Sequence, residues 1–199
     1  KVFSDELEKV AQDYGIDVRF SSEMTAIDGT SKTVTIRNNA SGEEEQIHYD
    51  MLHAVPKQSA PDWVKNSPLA DPDNPLGYVQ VDPGTLQHVR YPNVFSLGDA
   101  SSCPNSKTGA AIRKQAPVLV KNLLAAMKGQ SLAPDYEGYA SCPLVTSRKS
   151  VLLAEFNYQM EPTPSIPVID TKKPRFDMWI LKRYGLPFMY WNLILKGRA

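Results

Sequence analysis

Two cysteines in 199 residues are too few for a disulfide framework, which excludes the small stapled secreted folds. They leave a reducing compartment or redox chemistry open. No apolar run approaches the length of about 18 residues that a membrane-spanning helix needs. No initiator Met or signal peptide opens the chain, so nothing reads as secreted. The first residues carry a helical pattern directly, and the chain is expected to be the C-terminal piece of a longer protein. His48, His53 and His88 show no metal-ligand spacing, and no zinc or iron–sulfur ligand set is present. The expected metal is therefore none, and a structural role is expected for all three histidines. Net charge is also lacking, at +0, but that balance hides an asymmetry. Residues 1–50 hold 11 acidic and 5 basic side chains, whereas residues 171–199 hold 1 acidic and 7 basic. Those terminal cations are interleaved with Trp, Tyr, Phe and Met, which points to an anionic lipid surface and away from nucleic acid.

What is present starts as a helix-then-strand pattern. Ser4 can cap a helix whose apolar face is Phe3, Leu7, Val10, Ala11 and Tyr14, with Gly15 as its stop. Ile16, Val18 and Phe20 alternate as a strand should. Val34 and Ile36, then Ile47 and Tyr49, alternate on either side of Asn38-Asn-Ala-Ser-Gly42, which predicts a β-hairpin. Met51 to Val55 reads as a short buried strand, residues 56–75 as a Pro- and Asp-rich surface crossing, and Tyr78 to Val81 as another strand. A helix is predicted from about Ser106 to Lys128, capped by Ser or Asn and kinked or broken at Pro117. Ser147-Arg-Lys-Ser150 predicts a second hairpin, and Pro162, Pro164, Pro167 and Pro174 an extended linker.

The central stretch is Tyr91-Pro-Asn-Val-Phe-Ser-Leu-Gly-Asp99, a strand ending in a Gly-Asp turn, followed by a polar loop and the start of that long helix. Ligands of open α/β sheets bind outside the carboxyl ends of strands. A helix N-terminus offers unpaired N–H groups and partial positive charge to anions. Gly98 permits close backbone approach, and Asp99 can accept two hydroxyl hydrogen bonds. Lys107 and Thr108 open the helix; Lys107 is either a solvated first-turn lysine or a charge that stabilises an anionic ligand. Cys103 lies between turn and helix, where it is either a nucleophilic thiol or a small buried one. Cys142 reads as packed.

Several segments together resemble the sulfide:quinone oxidoreductases, in the branch holding the mitochondrial enzyme and its bacterial relatives. Tyr91 to Asp99 matches the second FAD-contact motif of two-dinucleotide-domain flavoproteins. More specific are Pro104-Asn-Ser-Lys-Thr-Gly-Ala-Ala111, Tyr136-Glu-Gly-Tyr-Ala-Ser-Cys-Pro-Leu-Val-Thr146, Leu153-Ala-Glu-Phe156 and Met189-Tyr-Trp-Asn192. The resemblance implies an α/β fold, the C-terminal part of a Rossmann-like flavoprotein with two dinucleotide-binding domains. Residues 1–55 would end the second Rossmann-like domain, 56–130 return to the FAD domain, and 131–199 form a hairpin and a membrane-facing region. It implies sulfide oxidation through a cysteine persulfide, a sulfur acceptor, and electron transfer through FAD to a quinone. Implied FAD contacts are Gly98, Asp99, Lys107 and Thr108, with Leu52 and Asp62; implied quinone contacts are Tyr139 and Phe156. Cys103 is the candidate catalytic residue. Implied placement is peripheral, on a bacterial or mitochondrial inner membrane through residues 175–199.

The chain departs from the family pattern twice. It holds no Gly-x-Gly-x-x-Gly, so the pyrophosphate site is expected in a missing N-terminal half of the same protein. Ala100 follows Gly-Asp where mitochondrial members place a redox cysteine. Two other readings stand beside this one: a non-catalytic membrane-docking module, and a related quinone-reducing NADH dehydrogenase.

Overall fold

The computed structural model describes residues 2–198 and shows mixed helix and strand in two compact units. One comprises residues 8–57; the other comprises residues 58–198 with those up to Leu7. Helix α1 (Val2–Asp13) runs from Val2, so Ser4 lies inside its first turn and not at a cap.

The smaller unit carries a three-stranded antiparallel sheet in the order β1 (Ser22–Asp28), β2 (Thr33–Asn38), β3 (Glu44–His48). Its β2–β3 hairpin forms as expected, and Val34 stands opposite Ile47. The Asn38 carboxamide oxygen accepts the Ala40 and Ser41 amides and so shapes the turn. The sequence reading of Ile16–Phe20 as a strand fails: these residues form no ladder, and their apolar side chains are exposed. The pairing goes to β1 because Asp28 makes an Asx turn, accepting the Thr30 and Ser31 amides, that folds β1 back on β2. Met51–Val55 is likewise irregular and exposed, not a buried strand.

In the larger unit, short bridges stand where strands were expected. Val79 pairs with Ala70 and Ser101, Val81 with His88, and Phe95 with Gln87. They enclose a core of Ala60, Val64, Tyr78, Val79, Val81 and Leu86. A one-turn helix, α2 (Asp62–Lys65), contributes Val64. Helix α3 (Gly109–Met127) continues through Pro117 without a break. Pro117 sits on the exposed side, while Gln115 and Asn122 tie the opposite side down. Asn122 is fully buried; its amide donates to Thr85 O and Ala133 O, and its oxygen accepts the Ala133 amide.

The second hairpin forms as expected, with β4 (Ala140–Ser147) and β5 (Ser150–Phe156) joined at Arg148-Lys149. Val151 and Leu153 of β5 pack on Met178 of α4 (Phe176–Ile180). A π-helical turn, Leu181–Gly185, then leads into α5 (Leu186–Asn192). Lys182 Nζ donates to Pro143 O at 2.6 Å, fastening this turn to β4. Among the described residues no helix is long and apolar enough to cross a membrane.

Candidate functional site

Gly98 adopts φ +63°, a left-handed conformation that side chains disfavour, and a Cβ there would stand 3.0 Å from Ile112 of α3. Both facts favour glycine. The Gly98 amide donates to the buried Gln115 Oε1 at 2.8 Å, so α3 itself fixes the turn. Gly98–Ala100 is a single 3₁₀ turn, closed by the Ser101 amide and hydroxyl donating to Gly98 O. Asp99 and Ala100 remain exposed at its apex.

Thr108, not Ser106 or Asn105, is the N-cap of α3, and its hydroxyl accepts the Ala111 amide at 3.2 Å. The cap places Lys107 before the helix. Its ammonium donates to Ser101 O at 2.5 Å and lies 4.1 Å from the centre of the Tyr78 ring. It is half-buried, and desolvation pulls its pKa down against the opposing pull of Cys103 and Asp99. Lys107 thus braces the loop and is not a solvated first-turn lysine. Its other two N–H donors exceed what Ser101 uses.

The Gly109 and Ala110 amides make no hydrogen bond among the described residues, and open space lies where a Gly109 Cβ would stand. Two free amides at a long helix start, with room before them and an exposed carboxylate one loop away, suit a group that is anionic at one end and hydroxylated at the other.

Cys103 is 4 % exposed and belongs to the core beside Tyr78 and Tyr136. The phenols around it are held neutral. Burial, then the nearness of Cys103, pushes Tyr136 up to about 12. Burial first and Cys103 second also push Tyr158 upward. An attacking thiolate needs reach to its substrate; the structure gives Cys103 the packing of a core thiol. Cys142, on β4, has its thiol pushed up by burial, which favours the unreactive protonated form.

The hydroxyl of Tyr136 links the turn to the second hairpin. It accepts from Asn105 Nδ2 at 2.6 Å and donates to Tyr139 O at 2.7 Å. Tyr139 in turn donates its hydroxyl to the buried Glu155 Oε1 at 2.6 Å, while Glu155 Oε2 accepts the Ser165 amide. Phe156 follows at the end of β5, half-buried opposite Ala140. Gly98, Asp99, Lys107 and Thr108 are therefore brought to one loop, and Tyr139 and Phe156 to one hairpin end. Asp62 lies exposed at the start of α2, and Leu52 belongs to the smaller unit.

Sequence reasoning missed Gln115, Asn122 and Glu155. The signal was there: Gln115 and Asn122 stand seven residues apart, two turns, on an otherwise apolar helix face. His88 carries the structural role expected of it. Its Nδ1 accepts the Arg90 and Tyr91 amides, which leaves Nε2 to donate to Leu69 O at 3.0 Å.

No protein-family model matches the chain. Curated proteins do. A mitochondrial sulfide:quinone oxidoreductase of Dictyostelium discoideum is 45 % identical over 198 residues, 100 % of this chain. Those of Mus musculus and Schizosaccharomyces pombe are 38 % and 37 % identical over 99 % and 92 % of it. This chain is a relative of the sulfide:quinone oxidoreductases. It spans 43 %, 43 % and 40 % of those three proteins, so about two-fifths of their length. A chain in the cryo-EM structure of the Tetrahymena thermophila mitochondrial ATP synthase shares the fold. It aligns with 79 % of this chain at TM-score 0.67 and 27 % identity, and the match covers 37 % of its own length.

Proposed function

We propose that the intact protein is an FAD-dependent sulfide:quinone oxidoreductase and that residues 2–198 supply half of its flavin site, its quinone end and its membrane contact. The observation that carries this reading is identity of 37–45 % to three enzymes of that name, over nearly the whole chain. The site agrees with it. Asp99 would accept the hydroxyls of a ribityl chain, and the Gly109 and Ala110 amides with Lys107 would meet negative charge on the ring. The chemistry supplied there by bound FAD would be a two-electron relay between sulfide, whose oxidised sulfur leaves on a sulfur acceptor, and the quinone. Tyr139 and Phe156 would offer aromatic surface for a quinone, with the Tyr139 ring held in place by the hydroxyl it donates to the Glu155 carboxylate.

The C-terminal segment supports the peripheral placement, in mitochondria as for the relatives. Phe176, Tyr184, Phe188, Tyr190 and Trp191 are exposed beside Lys182, Arg183 and Lys196, the pattern of a helix lying in a bilayer interface.

The deciding experiment is anaerobic titration of the intact flavoprotein, following the flavin absorbance. Sulfide is expected to bleach the flavin, and a short-chain ubiquinone to restore it. Bleaching by NADH but not by sulfide would transfer the protein to the quinone-reducing NADH dehydrogenases. Membrane binding without flavin reduction by either would make it a docking module.

A further inference from the structure

Tyr136 is a buried phenol, 5 % exposed, that belongs to neither the Gly98 turn nor the hairpin end but is hydrogen-bonded toward both. On the turn side stands Gln115, itself buried. Its Oε1 accepts the Gly98 amide, and its side chain also hydrogen-bonds the Tyr136 hydroxyl, so Nε2 is the group that meets the phenol oxygen. Asn105, from the loop between the turn and Lys107, adds a second donor to that oxygen at 2.6 Å. On the hairpin side the Tyr136 hydroxyl donates to Tyr139 O at 2.7 Å. The Tyr139 hydroxyl in turn donates to Glu155.

Two bonds accepted and one donated use all that a phenol hydroxyl has to offer. No capacity is left for a ligand, and the hydroxyl cannot turn without breaking a bond. The ring is fixed as well. It meets Tyr158 edge-on with centroids 5.6 Å apart. Tyr158 lies so close over Gly138 that a Cβ there would stand 2.2 Å from its ring, and its hydroxyl donates to Pro83 O at 3.0 Å. A buried polar network with every member satisfied rigidifies what it joins. Tyr139 is thereby held at two points, its backbone by Tyr136 and its hydroxyl by Glu155.

We infer that Tyr136 is a positioning residue for quinone reduction: through Tyr139 O it sets where the Tyr139 ring stands relative to the Gly98–Asp99 turn, and so how a quinone at the hairpin end is presented to the group held at that turn. Packing alone would be served by phenylalanine. The hydroxyl is what joins the two ends, and a misplacement of about 1 Å between reacting groups can cost on the order of 100-fold in rate. The inference rests on the reading of Tyr139 as a quinone contact.

The test is steady-state quinone reduction by the intact flavoprotein, expressed per bound flavin, with decylubiquinone and sulfide varied in turn. Tyr136→Phe keeps the ring and removes only the hydroxyl. It is expected to raise the KM for the quinone about fivefold or more. The KM for sulfide, and the rate at which sulfide alone bleaches the flavin, are expected to stay within about twofold. Gln115→Leu frees the Gly98 turn as well, and is expected to raise the quinone KM and to weaken flavin retention together. A Tyr136→Phe protein whose quinone KM stays within about twofold, or whose two KM values rise alike, overturns the inference, because a loss of structure alone does not separate the two substrates. Should Tyr136→Phe fail to retain flavin, Asn105→Ala decides in its place. It removes one donor from a half-buried position, and a quinone KM raised by about twofold or more is expected, an unchanged one overturning the inference. A protein that NADH bleaches and sulfide does not is assayed with NADH as donor, where the same shift in quinone KM is expected. Loss of the sulfide reading and loss of this inference are thus separate outcomes, and absence of quinone reduction with either donor overturns both.

Discussion

The Gly98 loop and the C-terminal helical segment both carry features of a binding surface, yet they are built by opposite means. Around Gly98, polar side chains go inward: Gln115, Ser101 and Asn122 are buried and every one is spent on a backbone group of a neighbouring loop. Along residues 176–196, apolar side chains go outward, and Met178 alone of that run is buried. The first pattern fixes a backbone so that amides and a carboxylate stand at set positions. The second leaves a surface able to settle on something fluid. A ligand with defined atoms needs the former, and a lipid surface needs only the latter.

The largest way to break that contrast is Asn122→Leu. The substitution keeps most of the volume but strands Thr85 O and the Ala133 amide, while Ala133 O keeps only the Asp135 amide. Buried polar groups left unpaired cost about 1–3 kcal/mol each, and partial relaxation should hold the total near 3 kcal/mol. Urea denaturation should show it. Loss below about 0.5 kcal/mol would mean that the inward polar side chains are not what holds this loop.

On the other side, Phe188→Ser with Trp191→Ser should leave stability within about 0.5 kcal/mol, because both rings are exposed. Binding of the intact protein to anionic phospholipid vesicles should drop by about tenfold or more, since each ring buries large apolar area on insertion. Equal binding by the double variant would return the aromatics to protein contact.

A finer probe of the fixed loop is its alkaline limb. Tyr136 titrates near 10.0 when unfolded and at about 12 in the fold, held neutral chiefly by burial. A raised folded value means the stabilisation is complete below pH 10 and fades as pH climbs toward 12. Lys107 acts in the opposite sense: its lowered value carries a cost at lower pH that is relieved as pH rises toward its unfolded value of 10.5. Between pH 10 and 12 the tyrosine governs. Tyr136→Phe should be less stable at pH 8, having lost the bonds to Asn105 and Tyr139, yet fall less steeply above pH 10. Parallel limbs for the two proteins would remove Tyr136 as the source of the slope.

How much of this could be seen in the residues depended on whether the partner was local. Asn38 to Gly42 and Arg148-Lys149 announce their hairpins because turn chemistry and alternating flanks lie within a few residues. The Gly98-Asp99 turn and the long helix were legible for the same reason. Ile16–Phe20 and Met51–Val55 misled because alternation specifies a face for burial, not a neighbour to pair with; the Asx turn at Asp28-Gly29 was the better guide. The cap was ambiguous because Asn105, Ser106 and Thr108 all offer an oxygen, and only the backbone path selects Thr108. Glu155 was invisible: a lone carboxylate in an apolar run gives no hint of a tyrosine 16 residues upstream donating to it.

Cys103 is where the contrast can be sharpened with the smallest expected effect. The sequence left it poised between nucleophile and core thiol, and Ala100 at the exposed apex deepened the interest in it. Its side chain goes inward with the others of this loop, among phenols that burial keeps neutral. A thiol so placed contributes packing, and a nucleophile would have to leave that packing to meet sulfide. Cys103→Ala in the intact protein should therefore lower stability by about 1 kcal/mol and change sulfide-driven quinone reduction by less than about threefold. A loss of about 1,000-fold or more, with stability little changed, would show that the thiol leaves the core during turnover. The fixed loop would then be the mobile element, and the contrast between the two regions would have to be drawn the other way.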